Sequence, residues 1–371
     1  MSDIKTGAVQ APVNLVDRIK ANRSDIRTSV SDSVAAVQQV YVPTQNDKLL
    51  TVEFDRLFDS IVREIEWQAE GKNSASALRG GRVLIVTGDA GVGKTRALSR
   101  QYQTRPELVG FGEIGSGCPL LSVVAPSPFT LGVLGNEIVR KLGYHSRREI
   151  KQSEVWPMVK AMFREHQVRI LHIDEAQHGD HVNWSTATQI ENTLKGLLQD
   201  PEWTIWLILS GLPEVARFCQ GDRSISRRTS QVRFNRVTRD HVPAMRKVVR
   251  DLMKACPTVE FEQMLTDEFM LRLIHAADGR FGVLVEFVQD ALEACLAAGD
   301  RVLNGDHFAD AYASRTGDER EEMNVFIAQD YDTIDVAGAL WEAPVVDEVA
   351  LSRAQLRRRT VAAAKAAGRR S

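Results

Sequence analysis

A short apolar run followed by a glycine-rich turn decides the fold of this chain. The run is Val83-Leu84-Ile85-Val86, and the turn is Gly88-Asp89-Ala90-Gly91-Val92-Gly93-Lys94-Thr95. The turn fits the pattern GxxxxGK[ST], which places a phosphate-binding loop between a buried strand and a helix. Its glycines let backbone N–H groups point inward around phosphates, because no Cβ stands in the way. We expect residues 88–95 to bind a nucleotide, which we take to be ATP.

Lys94 and Thr95 supply the charge and the metal ligand of this loop. The Lys94 ammonium would reach the β- and γ-phosphates, and the Thr95 hydroxyl would ligate Mg²⁺. The helix that begins here points its positive end at the bound anion. The pattern therefore predicts Mg²⁺ as well as ATP at this site.

Strand-like and helical segments alternate around the loop. Three more apolar runs, at 120–125, 168–173 and 205–209, are separated by helical segments at about 95–103, 129–142, 154–166 and 185–199. This alternation predicts an α/β fold, a parallel sheet flanked by helices. Apolar residues at helical spacing predict a further helix within 52–67. After about residue 238 only helices are expected, with caps at Thr266 and Asp306, so a small all-helical lid subdomain follows the sheet.

Four regions are expected from these patterns and from the charge distribution. Residues 1–50 form an N-terminal extension, a possible partner-interaction arm, and 51–238 form the nucleotide-binding domain. Residues 239–315 form the helical lid, and 316–371 form an acidic segment and a basic tail. Residues 318–348 carry ten acidic residues and one basic residue, whereas 352–371 carry seven basic residues and no acidic one.

The third apolar run ends in two carboxylates, Asp174 and Glu175. Acidic residues at the carboxyl end of a buried parallel strand lie where such sheets bind ligands. We expect Asp174 to hold Mg²⁺ and Glu175 to polarise the attacking water, so the pair favours hydrolysis. Ser210, at the end of the fourth run, would contact the γ-phosphate or its water. Gln177 and His178 lie near this site or make ordinary loop hydrogen bonds.

Two sets of arginines are candidates for neutralising transition-state charge. The run Arg223-Ser224-Ile225-Ser226-Arg227-Arg228 would project across a subunit boundary into a neighbour's γ-phosphate, with Arg227 or Arg228 preferred over Arg223. Arg280 would reach the same phosphate from the lid. The alternatives are a solvated basic loop and a surface arginine at a helix start.

Composition excludes several classes of protein. The chain has 47 Lys and Arg against 49 Asp and Glu, so a uniformly basic nucleic-acid coat is excluded but a local basic strip is not. The four cysteines form no CxxC pair, which gives no support to a zinc or disulfide framework. No apolar stretch reaches eighteen residues and the N-terminus is not a signal peptide, so we expect no membrane span and a cytoplasmic protein.

Together these motifs resemble the AAA+ ATPase superfamily. Within it the chain is similar to the TniB/TnsC transposition ATPases, relatives of the phage Mu B protein, over roughly residues 40–300. The residues that carry this resemblance are Val42-Pro43-Thr44 ahead of a helix, the loop at 88–95, Ala125-Pro126-Ser127-Pro128 and Ile170-Leu171-His172-Ile173-Asp174-Glu175-Ala176-Gln177-His178.

The resemblance implies an ATP-driven homo-oligomer, a ring or helical filament, on duplex DNA in the bacterial cytoplasm. It implies recruitment and activation of a DDE transposase, and a link to a target-selection protein of the TniQ type. The chain itself would not cut DNA. Candidate residues for sequence-independent contact with DNA phosphates are Thr130, Lys141, Arg147, Arg148 and Lys151. For each of them a solvated helix end is the alternative.

Two other readings compete with a transposition regulator. One is an AAA+ switch of another kind, such as a replication initiator, a helicase loader or a signalling ATPase. A winged-helix domain after the lid would favour an initiator, and the sequence after residue 300 shows no clear strands. The other is a nucleotide-dependent protein scaffold that does not bind DNA.

Deletion of the basic tail, residues 352–371, tests whether it binds DNA phosphates, docks on a partner protein or folds back on the acidic segment at 318–348. ATP hydrolysis without DNA should stay unchanged, because every expected nucleotide-site residue precedes residue 281. Loss of seven cations should change either DNA affinity, with a flatter salt dependence, or stimulation of the partner transposase. Filter binding at several salt concentrations and a transposition assay would measure this. A truncated protein equal to the full chain in both assays would leave the tail without a function.

Overall fold

The computed structural model describes residues 14–70, 80–145, 148–177, 184–219 and 223–341. Arg147, His178 and the basic tail at 352–371 lie outside these ranges. The strands are β1 Val83–Gly88, β2 Leu120–Val124, β3 Ile170–Asp174, β4 Trp206–Gly211 and β5 Thr229–Phe234. The helices are α1 Leu15–Ala21, α2 Asp25–Gln39, α3 Gln45–Ala69, α4 Lys94–Thr104, α5 Leu131–Lys141, α6 Gln152–Glu165, α7 Trp184–Leu198, α8 Arg223–Ser226, α9 Val242–Met253, α10 Asp267–Ala276, α11 Phe281–Ala298, α12 Gly305–Thr316 and α13 Val336–Trp341.

The chain divides into two compact units. The α/β unit comprises Pro43–Arg236 together with Arg280–Gly282 at the start of α11. The helical unit comprises the described residues up to Val42, Val237–Gly279 and those from Val283 onward. None of the helices in the described ranges is long and apolar enough to cross a membrane.

The α/β unit is built on a five-stranded parallel sheet in the order β2-β3-β4-β1-β5. Strands β1, β3 and β4 are buried along their whole length. Such continuous burial is expected of parallel strands that are covered on both faces. The predicted α/β class, a parallel sheet flanked by helices, is confirmed.

Alternate residues of β1 belong to two separate hydrophobic cores, one on each face of the sheet. Val83 and Ile85 pack with apolar residues of α5, α6 and α7. Leu84 and Val86 pack with residues of α3 and α4, among them Phe54. This division follows from the two-residue repeat of a strand, and it makes the unit a three-layer structure.

The fifth strand was not predicted, because its sequence does not look like the others. β5 is an edge strand that pairs only with β1 among the described strands. Val232 and Phe234 are buried in the core shared with α3 and α4, whereas Gln231 and Arg233 are exposed. An edge strand with alternating exposure gives no continuous apolar run, which was the signal used for the other four.

The helical unit contains α1 and α2, two helices for which the sequence analysis made no prediction. In α2 the buried residues Val30, Val34 and Val37 lie on one helical face.

The sequence predicted two helix caps in this unit. The expected cap at Thr266 is confirmed, since its side chain accepts a hydrogen bond from Phe269 N at 3.1 Å. The expected cap at Asp306 is wrong. The cap is Asn304, whose side-chain oxygen accepts from Asp306 N and from His307 N, so Asp306 lies in the first turn.

The described part of the acidic segment, residues 318–341, packs on the helical unit. Asn324 is buried and donates to Ala309 O at 2.9 Å. The Arg272 guanidinium donates to the carbonyl oxygens of Val325 and Ala328 at 2.8 Å each. Phe326 lies 5.4 Å, between ring centroids, from Phe308. From residue 299 to 341 the structure contains helices, turns and one isolated bridge, between Glu260 and Val302, and no sheet.

Gly81, just before β1, tests how tightly the sheet is packed at its amino-terminal end. A Cβ at this position would overlap the carbonyl oxygen of Ile205, a backbone atom that cannot move aside easily. We expect Gly81→Ala to lower the free energy of unfolding by about 2–3 kcal/mol. Gly196→Ala is the control, because a Cβ in that exposed helical position meets no atom within 4 Å and should stabilise α7 by about 1 kcal/mol. Urea unfolding would compare the two, and equal midpoints would contradict this packing.

Candidate functional site

The glycine-rich loop connects the carboxyl end of β1 to the amino end of α4. Gly91 and Gly93 have φ angles of +77° and +95°, a left-handed conformation that side chains with a Cβ rarely adopt. Gly93 is the residue that caps α4, and Lys94 is its first helical residue. Val92 is buried in the core below the loop and anchors it to the sheet. The loop therefore curves around the helix start, as the sequence predicts for a phosphate cradle.

Lys94 holds the loop closed. Its side chain is buried, and Nζ donates hydrogen bonds of 2.8 Å to the carbonyl oxygens of Gly88 and Asp89. Burial lowers the pKa of Lys94, while the nearby carboxylates of Glu175 and Asp174 oppose this shift. The Lys94 ammonium is thus already positioned inside the curve of the loop.

Asp174 lies at the carboxyl end of β3 with its two oxygens in different surroundings. Oδ1 accepts a hydrogen bond from the Ser210 hydroxyl and another, of 3.0 Å, from Glu175 N. Oδ2 faces the Thr95 hydroxyl at 3.4 Å. The structure therefore brings together Thr95 and Asp174, the two residues that the sequence assigned to Mg²⁺. Ser210 is fully buried against Asp174, and its contact with a phosphate stays a prediction.

Glu175 is held in place by a residue to which the sequence assigned no definite role. Its backbone is left-handed, with φ of +55°. Its side-chain Oε2 accepts a hydrogen bond from the Gln177 amide, whose Oε1 in turn accepts from Leu212 N at 3.1 Å. Gln177 thus ties the candidate catalytic carboxylate to the end of β4, and it makes a loop hydrogen bond in the same place.

A buried histidine, His172, is a part of the site that sequence reasoning missed. It lies two residues before Asp174, and it connects Ser122 on β2 with Ser210 on β4 through hydrogen bonds of 2.8 Å each. Burial lowers the pKa of His172 to about 4, so the ring is neutral at pH 7. The available signal was a titratable residue in the middle of an otherwise apolar buried strand.

Two arginines contact the loop itself. Arg236, just after β5, donates from Nε to Asp89 Oδ2 at 2.6 Å. Arg280, which belongs to the α/β unit, donates to Ala90 O at 3.4 Å. Arg280 was expected near the nucleotide, and the structure places it beside the loop. Arg236 was missed, and a lone basic residue after an unpredicted strand gave no usable signal.

Arg227 and Arg228 lie at the opposite end of the sheet from the loop of their own chain. They directly precede β5, whose first residue, Thr229, pairs with Val83, while its last residue pairs with Gly88. At about 3.3 Å per residue, this puts them about 17 Å or more from the loop. Arg227 is exposed, whereas Arg228 is half-buried and its Nε and Nη1 have no hydrogen-bond partner among the described residues.

The candidate DNA-contacting residues fall at the ends of two parallel helices, α5 and α6. Thr130 caps α5 and accepts from Val133 N at 3.3 Å, and Lys151 is the exposed cap residue of α6. Trp156 of α6 donates to Leu131 O at 3.2 Å, which holds the two helix starts side by side. Lys141 is exposed at the other end of α5, about 15 Å from the start of that helix. Exposed Arg148 lines a groove of about 250 Å³ beside α5, and Arg147 lies outside the described residues.

The residues present suit Mg²⁺ bound together with a nucleotide. Thr95 and Asp174 offer oxygen atoms, which Mg²⁺ prefers, and a nucleotide-bound Mg²⁺ takes its other ligands from phosphates and water. In the described ranges no three His, Cys, Asp or Glu side chains cluster as ligands for a metal held by protein alone.

Comparison with known proteins identifies the family. The model for "Bacterial TniB protein" matches residues 56–239, which span the sheet from α3 to the end of β5. The chain belongs to the TniB family. A comparison with curated protein sequences found no match.

The fold of this TniB protein is that of AAA+ ATPases. The structure of Cdc6p from Pyrobaculum aerophilum aligns over 75% of this chain and 69% of that one, with 13% identity and a TM-score of 0.52. Drosophila ORC bound to DNA aligns over 85% and 70%, with 13% identity and a TM-score of 0.49. The Aeropyrum pernix ORC1 protein in complex with DNA aligns over 71% and 65%, with 16% identity and a TM-score of 0.47. At such identities the likeness concerns the fold alone.

Replacement of Lys94 tests the loop as a nucleotide site. We expect Lys94→Ala to weaken ATP binding about 10- to 100-fold, because it removes charge-assisted hydrogen bonds to phosphate. Lys48→Ala is the control, since it removes one exposed lysine from α3. Calorimetry or a fluorescent ATP analogue would measure both. Equal affinity in the Lys94 variant and the unmodified protein would overturn the assignment.

Proposed function

We propose that this TniB protein is an ATP-hydrolysing regulator of DNA transposition. It assembles on duplex target DNA, recruits and activates a DDE transposase, and links that enzyme to a target-selection protein of the TniQ type. Membership of the TniB family supports the transposition role. The observation that carries the ATPase is the position of Asp174 Oδ2, 3.4 Å from the Thr95 hydroxyl, with Glu175 next to it.

Each residue of the site has a distinct task in this proposal. Backbone N–H groups of residues 88–93 and the Lys94 ammonium bind the phosphates of ATP. Thr95 and Asp174 would hold Mg²⁺, which neutralises charge on the phosphate oxygens when bound. Glu175 orients the attacking water and takes its proton. The γ-phosphoryl group is transferred to that water, which gives ADP and inorganic phosphate.

The position of Arg227 and Arg228 supports an active site that is shared between subunits. A guanidinium about 17 Å from its own loop does not reach its own γ-phosphate. The exposed Arg227 is free to enter a neighbour's site, whereas Arg228 is partly enclosed near Gly80. We therefore assign the arginine in trans to Arg227, with Arg280 acting within its own chain. This arrangement requires a homo-oligomer, which we propose is a ring or a helical filament.

The paired starts of α5 and α6 support contact with DNA phosphates. Both helices present unpaired backbone N–H groups and the positive ends of their dipoles at this point, close to Lys151. The hydroxyl of Thr130 retains its proton for donation while its oxygen caps α5. Contacts of this kind recognise the backbone and not the bases, which suits a protein that binds many targets. Gel shifts on arbitrary duplex DNA with and without ATP test this part of the proposal.

The amide variant of Glu175 separates binding from hydrolysis. Glu175→Gln preserves size but removes the general base, so turnover should fall at least about 100-fold while ATP affinity changes little. DNA complexes formed with ATP should then last longer. Phosphate release and filter binding would measure these effects, with Glu165→Gln, on the exposed end of α6, as the control. Unchanged hydrolysis would show that another residue activates the water.

Mixing two inactive variants tests whether Arg227 acts in trans. Turnover per subunit should rise with protein concentration, and Arg227→Ala should lose that rise because the neighbour's charge is missing. Arg227→Ala retains its own Glu175, and Glu175→Gln retains its own Arg227. A mixture of the two should therefore regain turnover that neither shows alone. Specific activity that is constant across dilution, or a mixture that stays inactive, would contradict the shared site.

A further inference from the structure

A continuous line of polar side chains crosses three neighbouring strands beneath the nucleotide site. It runs from Ser122 on β2 through His172 on β3 to Ser210 on β4, and ends at Asp174. The two hydrogen bonds of the His172 ring are 2.8 Å long each. His172, Ser210 and Asp174 are all buried.

The chemistry of these groups fixes the direction of every bond in the line. A carboxylate only accepts, so the single proton of the Ser210 hydroxyl is given to Asp174 Oδ1. Ser210 must then accept from His172 Nε2–H, and the other ring nitrogen, Nδ1, accepts from the Ser122 hydroxyl. All donors point the same way, toward Asp174.

Packing does not explain a histidine at this position. The ring is buried, with the Tyr102 ring of α4 at 5.4 Å between centroids. A buried ring nitrogen costs free energy unless it is hydrogen-bonded, and an aliphatic residue would fill the space without that requirement. The two serines that the histidine connects supply these hydrogen bonds.

We propose that His172 is a positioning residue that acts through Ser210 to set the orientation of the Asp174 carboxylate. With Oδ1 engaged by Ser210 and by Glu175 N, Oδ2 is the oxygen left to face Thr95 and the Mg²⁺ position. The inference rests on the proposed ATPase function of the same site. Without the His172 donor the Ser210 proton is free to turn away, and the carboxylate is free to rotate.

Magnesium-dependent nucleotide binding by the full chain tests this role. The dissociation constant of a fluorescent ATP analogue would be measured in Mg²⁺ and in EDTA, and the value in EDTA divided by the value in Mg²⁺ gives the enhancement by the metal. We expect His172→Leu to lower this ratio about tenfold, with little change in EDTA. Ser210→Ala should have the same effect. His172→Gln should restore part of the ratio, because its amide can donate to Ser210 from a similar position.

A double-mutant cycle shows whether His172 acts through Ser210. If it does, adding His172→Leu to Ser210→Ala changes the ratio no further. Tyr102→Phe is the matched control, since it removes a buried hydroxyl beside the ring that has no hydrogen-bond partner in the described ranges, and it should leave the ratio unchanged.

The possible outcomes separate this inference from the proposed function. No magnesium enhancement in the unmodified protein would overturn both. Normal enhancement there, with an unchanged ratio in His172→Leu or with additive losses in the double variant, would overturn the inference alone. If His172→Leu does not fold, as circular dichroism would show, His172→Gln and Ser210→Ala decide the matter. A ratio lowered by Ser210→Ala and lowered less by His172→Gln supports the inference, and any other pattern overturns it.

Discussion

Parallel pairing of β1, β4 and β3 is the constraint on which the site depends. Because these strands run in one direction, their carboxyl ends meet at the same edge of the sheet. β4 separates the loop strand from the acidic strand, so the two ends are about 10 Å apart. Two contacts to the Asp174 carboxylate span that gap. Ser210, at the end of β4, donates to Oδ1, and Thr95, at the start of α4, donates to Oδ2. With β1 and β3 at opposite edges of the sheet, the same motifs would be about 19 Å apart, too far to act together.

Charge around the loop is balanced before any nucleotide arrives. Lys94, Arg236 and Arg280 lie near Asp89, Asp174 and Glu175, which makes three positive and three negative groups. The phosphates of a nucleotide that binds at this loop add negative charge that these groups do not neutralise. A divalent cation next to Asp174 and Thr95 would correct the imbalance, which gives an electrostatic reason for coupling metal binding to nucleotide binding.

Motifs with strict local geometry were predicted well from the sequence, and features that depend on tertiary neighbours were not. The loop at 88–95 and the Asp174–Glu175 pair could be placed because both follow continuous apolar strands. β5 was missed because an edge strand alternates between buried and exposed residues. The roles of His172 and Gln177 depend on which strands are adjacent, since their partners are 38 and 35 residues away along the chain. The Asn304 cap was missed because Asp306 is an equally good capping type two positions later.

The distance between Arg227 and the loop of its own chain gives each subunit two unlike ends. In the proposed head-to-tail arrangement the arginine end of one subunit meets the loop end of the next, and such an interface is heterologous. Assembly of this kind either closes into a ring or continues as a helix, and a helix always has one terminal subunit whose loop meets no arginine. That terminal site would retain its nucleotide longest, so an open assembly would carry a chemically distinct end. A protein that bound only this end would recognise one position on the assembly, however many subunits it contains.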